Sequence, residues 1–193
     1  MNKEEFNKYW EKHYPESHLI GFELRNIYPN RWLRIHSLPE SKRYAESEIE
    51  YQTILERQNT VISDLFGENS KIILSFGLYN TESNNNKSVE LTEFEKYEKV
   101  KTIELHKVKP EEYQDEYFYH VYIRNENWKR NSKDKLLRTI ADDEFRALFI
   151  SPKTNCIVSP YDGGIDIIVE SEQKRNELKE KYKYWLSERK DEL

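Results

Sequence analysis

Two periodicities of apolar side chains run through the chain and predict its elements. Apolar residues at every second position indicate strands, and those at every third or fourth position indicate one face of a helix. The strand pattern occupies residues 31–37, 70–79, 100–108, 117–124, 145–150, 156–159 and 165–170. The helix pattern occupies residues 2–13, residues 46–66, a segment that Ser132 can cap, and the segment after Ser171. Residues 19–27 fit either pattern.

The order of these elements predicts an α+β fold. Helices stand at the start, the middle and the end, without the regular strand–helix alternation that produces a parallel sheet. No linker rich in glycine or proline divides the chain. We therefore expect a single α+β domain over residues 1–193, with helices packed on a largely antiparallel sheet of five or six strands. Residues 81–88, with consecutive asparagines, predict a mobile loop.

Composition and charge exclude several classes of protein. The 14 Tyr, 8 Phe and 4 Trp supply large apolar groups that disordered chains lack. No apolar run is long enough to cross a membrane, and the charged first 20 residues do not fit a signal peptide, so we expect a cytoplasmic protein. The net charge of −5 argues against nucleic acid as a partner. Cys156 is the one cysteine, which excludes a cysteine metal cluster, and we expect neither metal nor cofactor.

One segment before the long helix concentrates positive charge in a chain that is acidic overall. Strand alternation puts Arg34 and His36 on one face, and Lys42 and Arg43 follow closely. If the two later cations fold back over that face, the group forms an anion-binding pocket, because arginine presents a planar fork to phosphate or carboxylate and lysine a point charge. The alternative is that the cations pair with acidic residues 46–50 of the following helix.

A glycine turn with two aspartates is the second candidate. Asp162 lies in the turn beside Gly163 and Gly164, and Asp166 lies on the strand face opposite its two isoleucine neighbours. Two carboxylates this close could hold a cation or serve in acid–base chemistry. The alternative is that Asp162 makes a turn hydrogen bond and Asp166 pairs with an arginine or lysine.

The residues of these two segments resemble an uncharacterised family of small bacterial cytoplasmic proteins. The resemblance lies in residues 31–44, the helix over residues 54–65, residues 159–166 and the closing helix with Trp185. It implies one shared fold and a bacterial, cytoplasmic setting. It implies no activity that can be carried over to this chain.

Two functional hypotheses follow. Because the chain contains no recognised enzyme motif and is rich in Tyr and Trp, the first is a protein-binding protein of the immunity or regulatory type, without catalysis. The second is a phosphate- or nucleotide-handling enzyme. In it Arg34, Lys42 and Arg43 hold the anion, and the catalytic candidates are His36, Asp162 and Asp166. Whether the protein is an enzyme therefore stays open. The second hypothesis requires the segment with Arg34 and the turn with Asp162 to meet in space.

Overall fold

Seven strands with alternating or fully apolar side chains pair into one antiparallel sheet. The computed structural model of the protein describes residues 1–81, 97–113 and 115–189. The strand order is β1-β7-β6-β5-β2-β4-β3. The strands are β1 Trp32–His36, β2 Lys71–Asn80, β3 Glu98–Glu104, β4 Phe118–Asn127, β5 Leu148–Ser151, β6 Cys156–Tyr161 and β7 Gly164–Ile168.

Among the described residues, six α-helices accompany the sheet and cover its two faces unequally. Three of them, α3, α5 and α6, pack on one face over a continuous apolar core that includes Leu33, Ile62, Phe149 and Ile165. On the other face α1 packs near β3, and α2 packs near β1 and β7. The helices are α1 Lys3–His13, α2 Leu24–Ile27, α3 Glu48–Phe66, α4 Leu105–Val108, α5 Asp134–Ala141 and α6 Glu172–Lys181.

The α+β class and the largely antiparallel sheet are confirmed, whereas the expected number of strands was too low. The sheet has seven strands among the described residues, not five or six. Each of the seven strands overlaps one of the seven segments that carry the strand pattern, so the segments were found and only their number in the sheet was underestimated. The short strands β5 and β6 form a hairpin and both pair into the sheet, and β6 continues through Pro160 to Tyr161, where the sequence predicts a turn.

Two predicted boundaries also differ from the structure. The strand expected over residues 100–108 ends at Glu104, and its last residues form the helical turn α4, which Lys109 closes by donating to the Leu105 carbonyl. Ser132 does not cap α5, because its hydroxyl donates to the Lys129 carbonyl in the preceding turn and the N-cap position falls on Lys133.

Within the part of the chain that the structure describes, no helix is both long enough and apolar enough to cross a membrane. Of the loop predicted at residues 81–88, residues 82–88 lie outside the described residues.

Candidate functional site

A cleft of about 400 Å³ opens on the sheet face that carries α1 and α2. Strand register explains its polar floor. On this face Arg34 of β1 lies opposite Asp166 of β7, and Asp166 lies opposite Ser159 of β6. Further along the sheet, Ser75 of β2 lies opposite Leu148 of β5. Cross-strand partners project their side chains to the same face, so one row of mostly polar groups crosses the sheet.

The walls of the cleft come from separate parts of the chain, both loops and strands. Residues 19–25, between α1 and β1, supply one wall that includes Phe22 and Arg25. Arg43 arrives from the loop before α3, and Arg146 from the residues before β5. The strands β2, β4 and β6 contribute aromatic side chains to the lining: Tyr79, Tyr119 and Tyr161.

The ion pair of Arg34 and Asp166 is fixed in position by two hydrogen bonds and by ring contacts. The Arg34 Nε lies 2.7 Å from one carboxylate oxygen of Asp166, and a second guanidinium nitrogen lies 2.9 Å from the other. The guanidinium also lies over the Tyr161 ring, 4.8 Å from its centroid. Both charged side chains are nearly buried, at 12% and 14% exposure. A bidentate pair of this kind is geometrically specific, so Arg34 is held rigidly at the floor of the cleft.

Asp162 anchors the loop that carries Arg43. Its side chain is 2% exposed and accepts hydrogen bonds from the Arg43 guanidinium and the Tyr44 hydroxyl. Burial by itself would raise the pKa of this carboxyl, but these two hydrogen bonds and the Arg43 charge hold the pKa below its usual value. Asp162 is therefore ionised at neutral pH. The Arg43 side chain is 60% exposed, so part of the guanidinium remains open to solvent.

The cleft carries more positive than negative charge. Four arginines line it, Arg25, Arg34, Arg43 and Arg146, against two aspartates. Arg146 pairs with Asp143 outside the lining, at 3.1 Å, and is 68% exposed. Arg25 is half-buried and forms no ion pair or hydrogen bond with any residue that the structure describes. This local excess stands in a chain whose net charge is −5.

The two segments singled out from the sequence meet in this cleft. Arg34 and Arg43 from the first, and Asp162 and Asp166 from the second, all line it. Lys42 lies outside the lining and contacts Glu46 and Glu50, at 2.9 and 2.7 Å. Lys42 thus pairs with acidic residues near the start of the following helix, as the alternative expected, whereas Arg34 and Arg43 line the cleft and pair with the two aspartates.

His36 shares the sheet face of Arg34 but is not part of the cleft lining. Its side chain is buried, and its Nε2 has no hydrogen-bond partner among the described residues. Burial and the charges of Arg34 and Arg57 lower the pKa of the imidazole. The ring is therefore neutral at pH 7.

The two aspartates act as counterions of arginines, and neither contacts His36 through a hydrogen bond. Across residues 1–81, 97–113 and 115–189, no three His, Cys, Asp or Glu side chains gather in a way that could hold a metal ion. The chemistry that this arrangement offers is recognition of an anion by several guanidinium groups.

Sequence reasoning missed Arg25, Arg146 and the aromatic lining. Arg25 lies in the stretch whose pattern is undecided, and that stretch forms a 3-10 turn followed by α2. One available signal was Gly77 inside a strand, since a strand glycine often marks a close approach. A Cβ at Gly77 would lie 1.8 Å from a ring atom of Tyr119, so the glycine lets that ring lie across β2 on the cleft floor.

Comparison with known protein families gives one match. The family model described as "Domain of unknown function (DUF3885)" matches residues 20–190. This range contains every residue that lines the cleft except Leu19. The chain belongs to this family. Searches of curated proteins and of solved structures each found no match.

Proposed function

We propose that this member of the family binds a small anionic ligand, bearing a phosphate or carboxylate group, in the arginine-lined cleft. The observation that carries the proposal is Arg25, a half-buried residue that lines the cleft and whose guanidinium has no carboxylate partner among the described residues. An anionic ligand would supply the charge-assisted hydrogen-bond partner that this guanidinium lacks.

The neighbouring groups support this choice of ligand. Arg146 and Arg43 are largely exposed and retain donors that an anion can reach, whereas Arg34 gives two of its donors to Asp166 and forms a pair without net charge on the floor. The Ser159 and Ser75 hydroxyls lie on the same floor. Guanidinium forks and hydroxyl donors together match the acceptor oxygens of phosphate and carboxylate.

These contacts favour binding over catalysis. The aspartates among the catalytic candidates are occupied as counterions, and His36 lies outside the lining. Lys42, named with Arg34 and Arg43 as an anion ligand from the sequence, is left out of the proposed site because it contacts two glutamates.

A protein partner, the first hypothesis from the sequence, stays a prediction. Two exposed tyrosines outside the cleft, Tyr44 and Tyr184, are 48% and 87% exposed and lie on separate elements. The exposure of these two tyrosines does not identify a partner, so the anion-binding proposal has the stronger structural support.

Ligand-dependent thermal stability tests the proposal. Inorganic phosphate, succinate and nucleoside monophosphates are added separately, and affinity is then measured by calorimetric titration. A ligand at 100 times its dissociation constant adds about 2.7 kcal/mol to the unfolding free energy, which raises the melting temperature measurably. Arg25→Gln should weaken binding by about tenfold or more, because it removes a charge-assisted hydrogen-bond donor without leaving a carboxylate unpaired.

Arg138→Gln is the matched control, since Arg138 pairs with Glu48 on α3 and does not line the cleft. This variant should bind the anion as the wild type does. The proposal is wrong if none of the anions raises the melting temperature, or if Arg25→Gln and Arg138→Gln bind equally well.

A further inference from the structure

The cleft has an aromatic side whose exposure a bare anion does not explain. Phe22 is 49% exposed and Tyr79 is 45% exposed, and both line the cleft. Because both side chains line the same cleft, a ligand that enters it can cover them and remove their apolar surface from water.

The aromatic side continues onto the floor. The Tyr79 and Tyr119 ring centroids lie 4.9 Å apart. Tyr119 occupies space above β2 that only a glycine at position 77 leaves free. Tyr79 and Tyr119 therefore form a contacting aromatic pair, and Phe22, whose ring centroid lies 5.6 Å from the Lys109 ammonium, lines the same cleft as the arginines.

Phe22 and Arg25 lie close together in the sequence. Arg25 follows Phe22 by three residues within the helical turns of residues 21–27. Residues three apart in a helical turn lie on the same side of it, which agrees with both lining the cleft. A ligand that contacts the Phe22 ring and the Arg25 guanidinium together needs a planar group and an anionic group joined by a short connection.

Volume supports the same conclusion. The cleft of about 400 Å³ lies within the range of pockets that hold a small organic molecule, and a lone phosphate or carboxylate would fill only part of it.

We propose that the ligand of this cleft is a planar ring joined to an anionic group, with the ring against Phe22 and Tyr79 and the anion at Arg25 and Arg146. The proposal rests on the anion-binding function and names the class of ligand for it. A nucleoside monophosphate and an aromatic carboxylate both have this chemistry.

A ligand series separates the ring from the anion. The probes are inorganic phosphate, ribose 5-phosphate, adenosine and uridine 5′-monophosphates, and 4-hydroxybenzoate, each titrated into the full chain. At least one ring-bearing anion should bind about tenfold or more tightly than ribose 5-phosphate, because stacking on an aromatic side chain adds affinity whatever the base. Tighter binding of the monophosphates identifies a nucleotide as the source, and tighter binding of 4-hydroxybenzoate identifies an aromatic acid.

Two substitutions then assign the gain to the aromatic side. Phe22→Leu keeps an apolar side chain but removes the ring, and should reduce the advantage of the ring-bearing anion over ribose 5-phosphate to about one- to threefold. Tyr79→Phe keeps the ring and should preserve most of that advantage. Tyr184→Ala, at a tyrosine that is 87% exposed and outside the cleft, is the control and should change nothing.

The outcomes distinguish the two proposals. If ribose 5-phosphate binds as tightly as every ring-bearing anion and Arg25→Gln weakens all of them, the ring is irrelevant and only anion binding stands. An unchanged ratio in a folded Phe22→Leu protein also overturns the aromatic assignment. If no probe binds, including inorganic phosphate, both proposals fail.

Discussion

Two neighbouring rows of side chains on one sheet face differ in burial: helices cover one row and leave the other open. The first runs through Trp32, Ile168, Ile157, Ile150 and Ile73, and all five are buried in the core beneath α1 and α2. The second lies two residues along the same strands, with Arg34, Asp166 and Ser159, and forms the floor of the open cleft.

The strands, their twist and their pairing are common to both rows, so the difference lies in the side chains. Apolar groups in the first row gain free energy when helices exclude water from them. Charged groups in the second row would lose hydration under the same cover without gaining apolar contacts. A step of two residues along the strands thus changes the sheet face from buried core to the floor of an open cleft.

The largest expected difference between the rows is in stability. Ile157 is fully buried in the centre of the covered row, and Ile157→Ala should lower the free energy of unfolding by about 2–5 kcal/mol through lost burial and a residual cavity. Ser159→Ala, two residues along β6, should change it by less than about 0.5 kcal/mol. Urea unfolding of both variants makes the measurement. Equal losses of unfolding free energy in the two variants would mean that both rows contribute equally to stability.

The next effect concerns the ion pair that replaces apolar packing in the open row. Asp166→Ala leaves Arg34 without its carboxylate in a nearly buried position, and should cost about 1–3 kcal/mol. This is less than the loss for a fully buried pair, because both side chains keep some exposure to water.

A second substitution shows whether the cost comes from the unpaired charge. In Asp166→Ala combined with Arg34→Met, no charge is left without a partner, and the double variant should be more stable than Asp166→Ala alone. A double variant whose loss equals the sum of the two single losses would show that the pair contributes nothing through its mutual contact.

The two faces of single strands were predictable from the sequence, whereas the rows that run across the sheet were not. Alternation in β1 separates Leu33 from Arg34, and alternation in β7 puts Asp166 opposite its isoleucine neighbours, as the structure confirms. Local pattern carries no information about which strands pair. The pairing of β1 with β7 joins residues at the two ends of the chain, and only that pairing brings Arg34 to Asp166.

Loop residues were the harder part of the site. Lys42 and Arg43 are adjacent, yet one pairs with glutamates and the other enters the cleft, because no periodicity governs side-chain direction in a loop. Arg25 was missed for a related reason, since short 3-10 and α-helical turns produce neither of the two periodicities by which elements are recognised.

The smallest expected effect is the pH dependence that Asp162 contributes to stability. The pKa of its carboxyl is lower in the folded protein than its usual value of 3.8, so the ionised form stabilises the fold. This contribution is fully present well above about pH 4 and is lost as the pH falls through the lower, folded value. The wild type should therefore exceed Asp162→Asn in free energy of unfolding near neutral pH, and the gap should narrow below about pH 4.

Arg43→Gln identifies the source of that dependence. Burial alone would raise the pKa of Asp162. In a protein that already carries Arg43→Gln, the loss of unfolding free energy caused by Asp162→Asn should therefore depend less on pH below about pH 4, or should change in the opposite direction. Urea unfolding between pH 3 and pH 7, with and without Arg43→Gln, makes the measurement. If the gap stays constant over this range with Arg43 present, then the hydrogen bonds of Asp162, and not its charge, hold the loop at the cleft.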